Sequence, residues 1–99
     1  MLETKFMDYL INDENITSKN KAVSSRLSKA RAVEKALNIS LDTIVEDEIK
    51  MYHALVRINE VMKNANGSYS NALRKYYTFK TGEVFPRIEE FYNRHRHEL

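Results

Sequence analysis

A set of basic and hydroxyl side chains recurs on one side of a predicted helix in the first half of the chain. On a helical wheel of about 100° per residue, Lys21, Ser24, Ser28, Arg31 and Lys35 fall together, opposite a stripe of apolar residues. Lys and Arg neutralise phosphates, serine hydroxyls donate hydrogen bonds to them, and small side chains permit close approach to a sugar-phosphate backbone. The set therefore predicts a phosphate-binding face, although a solvated charged face is equally typical of a helix surface.

The positive charge is concentrated in this segment, and the net charge of the whole chain does not show this. The whole chain carries 16 Lys and Arg against 14 Asp and Glu, a net charge of +2. Residues 17–38 hold six basic residues against Glu34 alone, which gives +5, whereas residues 1–16 hold one Lys and four acids. The second predicted helix is therefore the basic element, and the first is acidic.

Catalytic and metal-binding sets are incomplete in this sequence. The chain has no cysteine, no glycine-rich phosphate loop and no Ser, His and Asp at the spacing of a known triad. His95 and His97 are two residues apart, so on a helix they point to different faces, beside arginines that would repel a cation. The acidic run at 46–48 suits the start of a helix, where the dipole favours negative charge. We therefore predict a non-catalytic protein with no cofactor and no metal site.

Composition and apolar spacing predict an all-α fold. Only two glycines and one proline occur, while Ala, Leu, Glu, Lys and Arg are plentiful. The spacing predicts N-caps at Thr17 or Ser18 and at Ser68 or Ser70, and leaves a kink near Glu46 open. The predicted helices cover residues 2–11, 17–38, 41–63, 68–81 and about 84–97.

The sequence also predicts the environments of two individual side chains, Arg26 and Tyr77. Arg26 lies nearer the apolar side of its helix, where Asp47 or Glu48 is a possible ion-pair partner. Tyr77 is expected to be the aromatic residue that faces outward, since Tyr76 already occupies the inward position.

The length of the chain, 99 residues, suits one domain with one hydrophobic core. We expect the core over about residues 4–80, with an additional C-terminal helix at about 84–97. The N-terminal residues lack the pattern of a signal peptide, and no apolar run approaches the roughly 20 residues of a spanning helix. Together with the lack of cysteine, this predicts a cytoplasmic protein that is not in a membrane.

Several short segments, taken in chain order, resemble a known family. They are Phe6-x-x-Tyr9-Leu10, Ile16-Thr17-Ser18-Lys19, Arg26-Leu27 and Ser70-Asn71-Ala72-Leu73-Arg74-Lys75-Tyr76-Tyr77-x-Phe79. Over about residues 4–80 the chain resembles the SAM-like core-binding domain of phage-type integrases, and the last segment is similar to helical modules attached to restriction and HNH-type endonucleases. The resemblance implies a SAM-like orthogonal bundle of four or five helices that clamps duplex DNA while a separate domain cuts it. It adds Arg74 and Lys75 to the candidate DNA contacts.

Two functions stay open from the sequence. The first is a DNA-binding module of mobile-element or restriction type that binds duplex DNA with little base selectivity. The second is a protein-interaction or self-associating domain, a homodimer for example, that keeps an integrase-like fold without its DNA surface. The acidic first helix and the additional C-terminal helix depart from the integrase pattern and favour the second function. Its predicted contacts are Phe85, Ile88, Phe91 and Tyr92.

Overall fold

The computed structural model describes residues 1–13 and 19–99, and within them the chain forms six α-helices and one 3₁₀ turn. The elements are α1 (Glu3–Ile11), α2 (Lys19–Leu37), α3 (Leu41–Val45), α4 (Glu48–Val61), the 3₁₀ turn (Ala65–Gly67), α5 (Ser68–Thr81) and α6 (Ile88–His95). Helix accounts for 76% of the structure and the described residues contain no strand, so the predicted all-α class is confirmed. None of the described helices has the length and apolar character needed to cross a membrane.

The predicted helix over 41–63 is two helices, which raises the number of helices from the expected four or five to six. Asp47 interrupts it with an extended backbone (φ −137°, ψ 124°). Its carboxylate accepts hydrogen bonds from the N–H groups of Ile49 and Lys50, at 2.7 and 3.3 Å. Asp47 therefore caps the start of α4. Two of the predicted N-caps, Thr17 and Ser18, lie outside the described residues.

The start of α5 is capped from a distance. The Asn64 side-chain oxygen accepts hydrogen bonds from the N–H groups of Tyr69 and Ser70, at 2.9 and 3.2 Å. Gly67 occupies the N-cap position with a left-handed φ of 69°, a conformation that costs glycine little. The prediction that Ser68 or Ser70 caps this helix is therefore wrong, because the tight turn brings the Asn64 carboxamide over the helix end.

One hydrophobic core joins the helices. α5 packs against α1, α2, α3 and α4, and α6 packs on α4. Leu55 of α4 and Leu73 and Tyr76 of α5 are fully buried. The apolar stripe of α2 faces this core as its spacing predicts, with Val23, Leu27, Ala30, Val33 and Leu37 all buried.

The C-terminal segment contributes aromatic rings to the same core, which therefore extends past residue 80. Phe85 and Phe91 are only 2% and 1% exposed, with ring centroids 5.1 Å apart. Tyr77 packs edge-on against Phe85 at 5.3 Å and is 5% exposed. The prediction that Tyr77 faces outward is wrong, because the chain after α5 folds back over this ring. Pro86 precedes α6, whose N-cap position is Arg87.

A polar cluster fixes the first residues against α2, α3 and α5. The amino group of Met1 lies 3.2 Å from Glu34 Oε2 and 3.1 Å from Asp42 Oδ2. The Tyr76 hydroxyl donates to Asp42 Oδ1 at 2.5 Å and accepts from the Leu2 N–H at 2.8 Å. Burial, and then the hydrogen bond to Asp42, raise the pKa of Tyr76. Burial opposes ionisation of Asp42, but its hydrogen bonds outweigh burial and lower the pKa of this carboxyl.

Candidate nucleic-acid interface

The predicted basic face lies on the solvent side of α2. Its five members, Lys21, Ser24, Ser28, Arg31 and Lys35, are all exposed. The side of α2 that carries the apolar stripe packs against α1, α4 and α5, so the opposite side is left open. Since an α-helix rises 1.5 Å per residue, the two terminal lysines are separated by about 21 Å along the helix axis. The structure thus places these five side chains together on one accessible surface.

The charges on this face are not equally available. Arg31 Nε and Nη2 each lie 2.5 Å from Glu3 Oε1, so α1 supplies a carboxylate that neutralises Arg31. Lys21 and Lys35 form no ion pair within the described residues. The face therefore presents two ammonium groups that no described carboxylate pairs with, and the hydroxyls of Ser24 and Ser28 lie between them.

Arg74 is engaged inside the protein. Its Nη1 donates hydrogen bonds to the carbonyl oxygens of Phe85 and Pro86, at 2.9 and 3.1 Å, and its guanidinium lies 5.9 Å from the Phe85 ring centroid. Burial lowers the pKa of Arg74, and the negative charge of Glu89 acts in the opposite direction. Arg74 therefore attaches the segment after α5 to the core, and its contact with DNA stays a prediction.

Lys75 is also engaged inside the protein. Its ammonium forms an ion pair with Asp13, beyond the end of α1, and lies 5.8 Å from the ring centroid of Tyr9. Because α1 covers this side of α5, Lys75 is partly buried and its charge is matched by an acid. Lys75 therefore attaches the end of α1 to α5, and its contact with DNA likewise stays a prediction.

A polar cleft beside the basic face was not predicted from the sequence. It has a volume of about 250 Å³ and lies between one flank of α2 and the start of α5. The α2 wall of the cleft could have been predicted from a helical wheel, since residues spaced by three or four lie on the same side of a helix. The opposite wall comes from residues about 40 positions later, and no sequence pattern joins the two. The polar lining side chains are Ser25, Arg26, Lys29, Asn66, Ser68 and Asn71.

Two cations of this cleft are held by α5. Arg26 Nη1 donates a long hydrogen bond, 3.4 Å, to the carbonyl oxygen of Asn71. The predicted pairing of Arg26 with Asp47 or Glu48 does not occur, because α2 directs this side chain toward α5. The Lys29 ammonium lies 5.3 Å from the ring centroid of Tyr69, within the range of a cation–π contact. Both cations therefore contact α5 at the edge of the cleft.

The four residues proposed as protein contacts have different environments. Phe85 and Phe91 are part of the protein's own core, so neither ring is available to a partner. Ile88 is half-buried against the same core. Tyr92 is 47% exposed. The C-terminal helix thus uses its apolar edge to close the fold, and the predicted partner surface is reduced to Tyr92 with part of Ile88.

The arrangement on α2 can attract a polyanion, through separated positive charges and hydroxyl donors on one open helix face. The SAM-like relationship stays a prediction from sequence. Comparisons of the chain with protein-family models, curated proteins and solved structures return no match.

Proposed function

We propose that this protein binds the phosphate backbone of duplex DNA through the exposed face of α2. The observation that carries the proposal is the pair of exposed lysines, Lys21 and Lys35, which form no ion pair among residues 1–13 and 19–99 and have Ser24 and Ser28 between them on the same face. Positive charge of this kind releases counterions from DNA and supplies most of the affinity of sequence-independent binding.

The residue types on this face favour contacts to phosphates over contacts to bases. Lysine is a compact point charge and serine a short donor, whereas bidentate reading of guanine is best done by a planar guanidinium. The one arginine of the face, Arg31, already pairs with Glu3. We therefore expect similar affinity for duplexes of unrelated sequence.

The resemblance to integrase core-binding domains supports the same function. In that reading the protein is a non-catalytic, cytoplasmic module of mobile-element or restriction type that holds duplex DNA. The alternative, a protein-interaction or self-associating domain, loses support because Phe85 and Phe91 are interior. Of its predicted contacts only Tyr92 and part of Ile88 remain exposed, so we propose DNA binding.

The test is fluorescence anisotropy with two labelled duplexes of unrelated sequence, across a salt series. Two phosphates contacted by Lys21 and Lys35 give a slope of about −1.8 in log affinity against log salt, at about −0.9 per phosphate. The double substitution Lys21→Glu and Lys35→Glu should reduce the affinity for both duplexes by more than about tenfold, since it replaces attraction by repulsion. Arg31 is left unchanged, because Arg31→Glu would set a second carboxylate against Glu3.

The matched control is Arg87→Glu with Arg96→Glu, which changes the net charge by the same amount. Both arginines are exposed and flank α6, which packs on α4 and not on the open side of α2. The control should retain most of the affinity, and circular dichroism should show both variants folded. Absence of binding at low salt, or equal losses in the two double variants, would overturn the proposal.

A further inference from the structure

The cleft between α2 and α5 is lined by hydrogen-bond donors and positive charges. Arg26 and Lys29 bring two cations, and hydroxyl and carboxamide groups come from Ser25, Ser68, Asn66 and Asn71. No carboxylate is among the described residues that line it. A concave site that has donors and cations but no acid is complementary to an oxyanion.

The two cations already have contacts with α5 in the structure. The hydrogen bond from Arg26 to the Asn71 carbonyl occupies one guanidinium nitrogen and leaves the other donors of the fork for a ligand. Lys29 rests near the Tyr69 ring, and neither cation forms an ion pair within the described residues. Contacts that restrict a side chain before binding reduce the conformational entropy that binding costs, so these two contacts with α5 favour binding at the cleft.

The side chains, and not the amides at the start of α5, supply the attraction. The N–H groups of Tyr69 and Ser70 already donate to the Asn64 side chain, and that of Ser68 donates to the Ala65 carbonyl. An anion in the cleft therefore depends on Arg26 and Lys29 for its charge partners.

The volume of the cleft limits the size of the ligand that it can bind. Its volume of about 250 Å³ is below the range of about 300 to 1,000 Å³ that is typical of pockets for drug-sized ligands. One tetrahedral phosphate group suits this volume better than a whole nucleotide does. Lys29 also lies about 80° around α2 from Lys21, so the cleft adjoins the basic face.

We propose that this cleft is a seat for one phosphate group, contacted by Arg26 and Lys29 and oriented by the hydroxyls of Ser25 and Ser68. The phosphate is either a diester of bound duplex DNA, in which case the inference rests on the proposed function, or a free phosphate. A diester in the seat continues the row of phosphates that Lys21 and Lys35 contact.

The first arm of the test uses inorganic phosphate and the full chain. Sodium phosphate is titrated at constant ionic strength, maintained with sodium chloride, while backbone amide shifts are followed by NMR. Saturable shifts are expected at Ser25, Lys29, Ser68 and Asn71. They should be lost in the double variant Arg26→Gln and Lys29→Gln, which keeps part of each aliphatic stem, and retained in the control Arg87→Gln with Arg96→Gln.

The second arm measures duplex DNA binding by the same variants across a salt series. One phosphate lost from the seat makes the slope shallower by about 0.9, and the control should leave it unchanged. If the double variant fails to fold, the single variant Lys29→Gln is used for both the phosphate titration and the duplex-binding measurement.

The outcomes separate the seat from the proposed function. Phosphate shifts that do not saturate, together with duplex binding that depends only on Lys21 and Lys35, overturn the seat and leave the function standing. Saturable phosphate shifts without any duplex binding support a seat for free phosphate and overturn the DNA function. Saturable shifts that persist in both the double variant and Lys29→Gln overturn the assignment to this cleft.

Discussion

Helices α2 and α5 both combine an apolar stripe with basic residues, yet their cations have different environments. On α2, Lys21 and Lys35 are exposed and form no ion pair within the described residues. On α5, Arg74 holds two carbonyl oxygens and Lys75 pairs with Asp13. The difference follows from position, since α5 packs against four helices whereas one side of α2 has no helix over it. On these two helices, the lysines on the uncovered side of α2 remain accessible to a ligand, whereas Arg74 and Lys75 of the more enclosed α5 are engaged by other parts of the chain.

The largest expected effect concerns the segment that covers α5. Phe91 is 1% exposed and packs against Phe85 and Tyr52, with ring centroids 5.1 and 5.5 Å apart. Phe91→Ala should lower the free energy of unfolding by about 3 to 5 kcal/mol, because it removes a buried ring and leaves a cavity. The neighbouring Tyr92→Ala should change it by no more than about 0.5 kcal/mol. Urea unfolding followed by circular dichroism measures both, and similar values for the two would contradict the assignment of this segment to the core.

A smaller loss is expected at Arg74, whose guanidinium bonds the carbonyl oxygens of Phe85 and Pro86. Arg74→Ala should lower the free energy of unfolding by about 2 to 4 kcal/mol, since hydrogen bonds to a charged, partly buried group are lost. Lys35→Ala on the open face should cost no more than about 0.5 kcal/mol. Duplex affinity should show the opposite order, with a loss for Lys35→Ala and none for folded Arg74→Ala. An affinity loss at Arg74 would return it to the binding surface.

The sequence predicted α2 better than α5 for a physical reason. In α2 one side is buried and the other is open, so the helical period alone separates Val23 and Leu27 from Lys21 and Lys35. In α5 both sides are covered, and the period does not report which neighbour covers each side. Tyr77 illustrates this, because it lies away from the main stripe and is still buried by a segment that follows in the chain.

The same distinction applies to the candidate site: the part on one helix could be predicted from the sequence, and the part between two helices could not. The basic face comes from a single helix, so local spacing was sufficient to find it. The cleft needs Arg26 and Lys29 to lie opposite Ser68 and Asn71, and this depends on how α2 and α5 cross. The cap of α5 was missed for a related reason, since Asn64 reaches the helix end only through the turn that Gly67 permits.

The pH dependence of stability tests an inward contact of α5, the hydrogen bond from Tyr76 to Asp42. Burial opposes ionisation of Asp42, but hydrogen bonds from Tyr76 and the Met1 amino group lower its folded-state pKa below the ordinary value of 3.8. A lowered folded pKa stabilises the protein above the unfolded pKa, and that stability is lost as the pH falls through the folded value. Asp42→Asn should therefore cost about 1 to 2 kcal/mol at pH 7, and the difference from the parent should shrink as the pH falls below 3.8.

The control for this measurement is Asp8→Asn. Asp8 is exposed on α1 and forms no ion pair within the described residues. The free energy of unfolding of this variant should stay close to that of the parent from neutral to acid pH. A difference at Asp42 that does not change with pH would show that its charge does not contribute to stability.

The smallest expected effect on duplex affinity concerns Arg31. This residue is exposed on α2, like Lys21 and Lys35, but it pairs with Glu3 of α1. Contact between Arg31 and a phosphate requires this bridge to open, and an exposed bridge of this kind is worth up to about 1 kcal/mol. Glu3→Gln removes that cost, so duplex affinity should rise by up to about fivefold, given about 1.4 kcal/mol per tenfold.

Stability and salt dependence separate this effect from a general change in charge. The free energy of unfolding of Glu3→Gln should differ from that of the parent by no more than about 1 kcal/mol, because both partners of the bridge are about half exposed. The log-log salt slope should steepen by up to about 0.9 if Arg31 contacts a phosphate only after its release. Glu60→Gln on α4 gives the same change in net charge at an exposed acid that forms no ion pair within the described residues. Equal gains in affinity from Glu3→Gln and Glu60→Gln would show that net charge, and not the release of Arg31, controls binding.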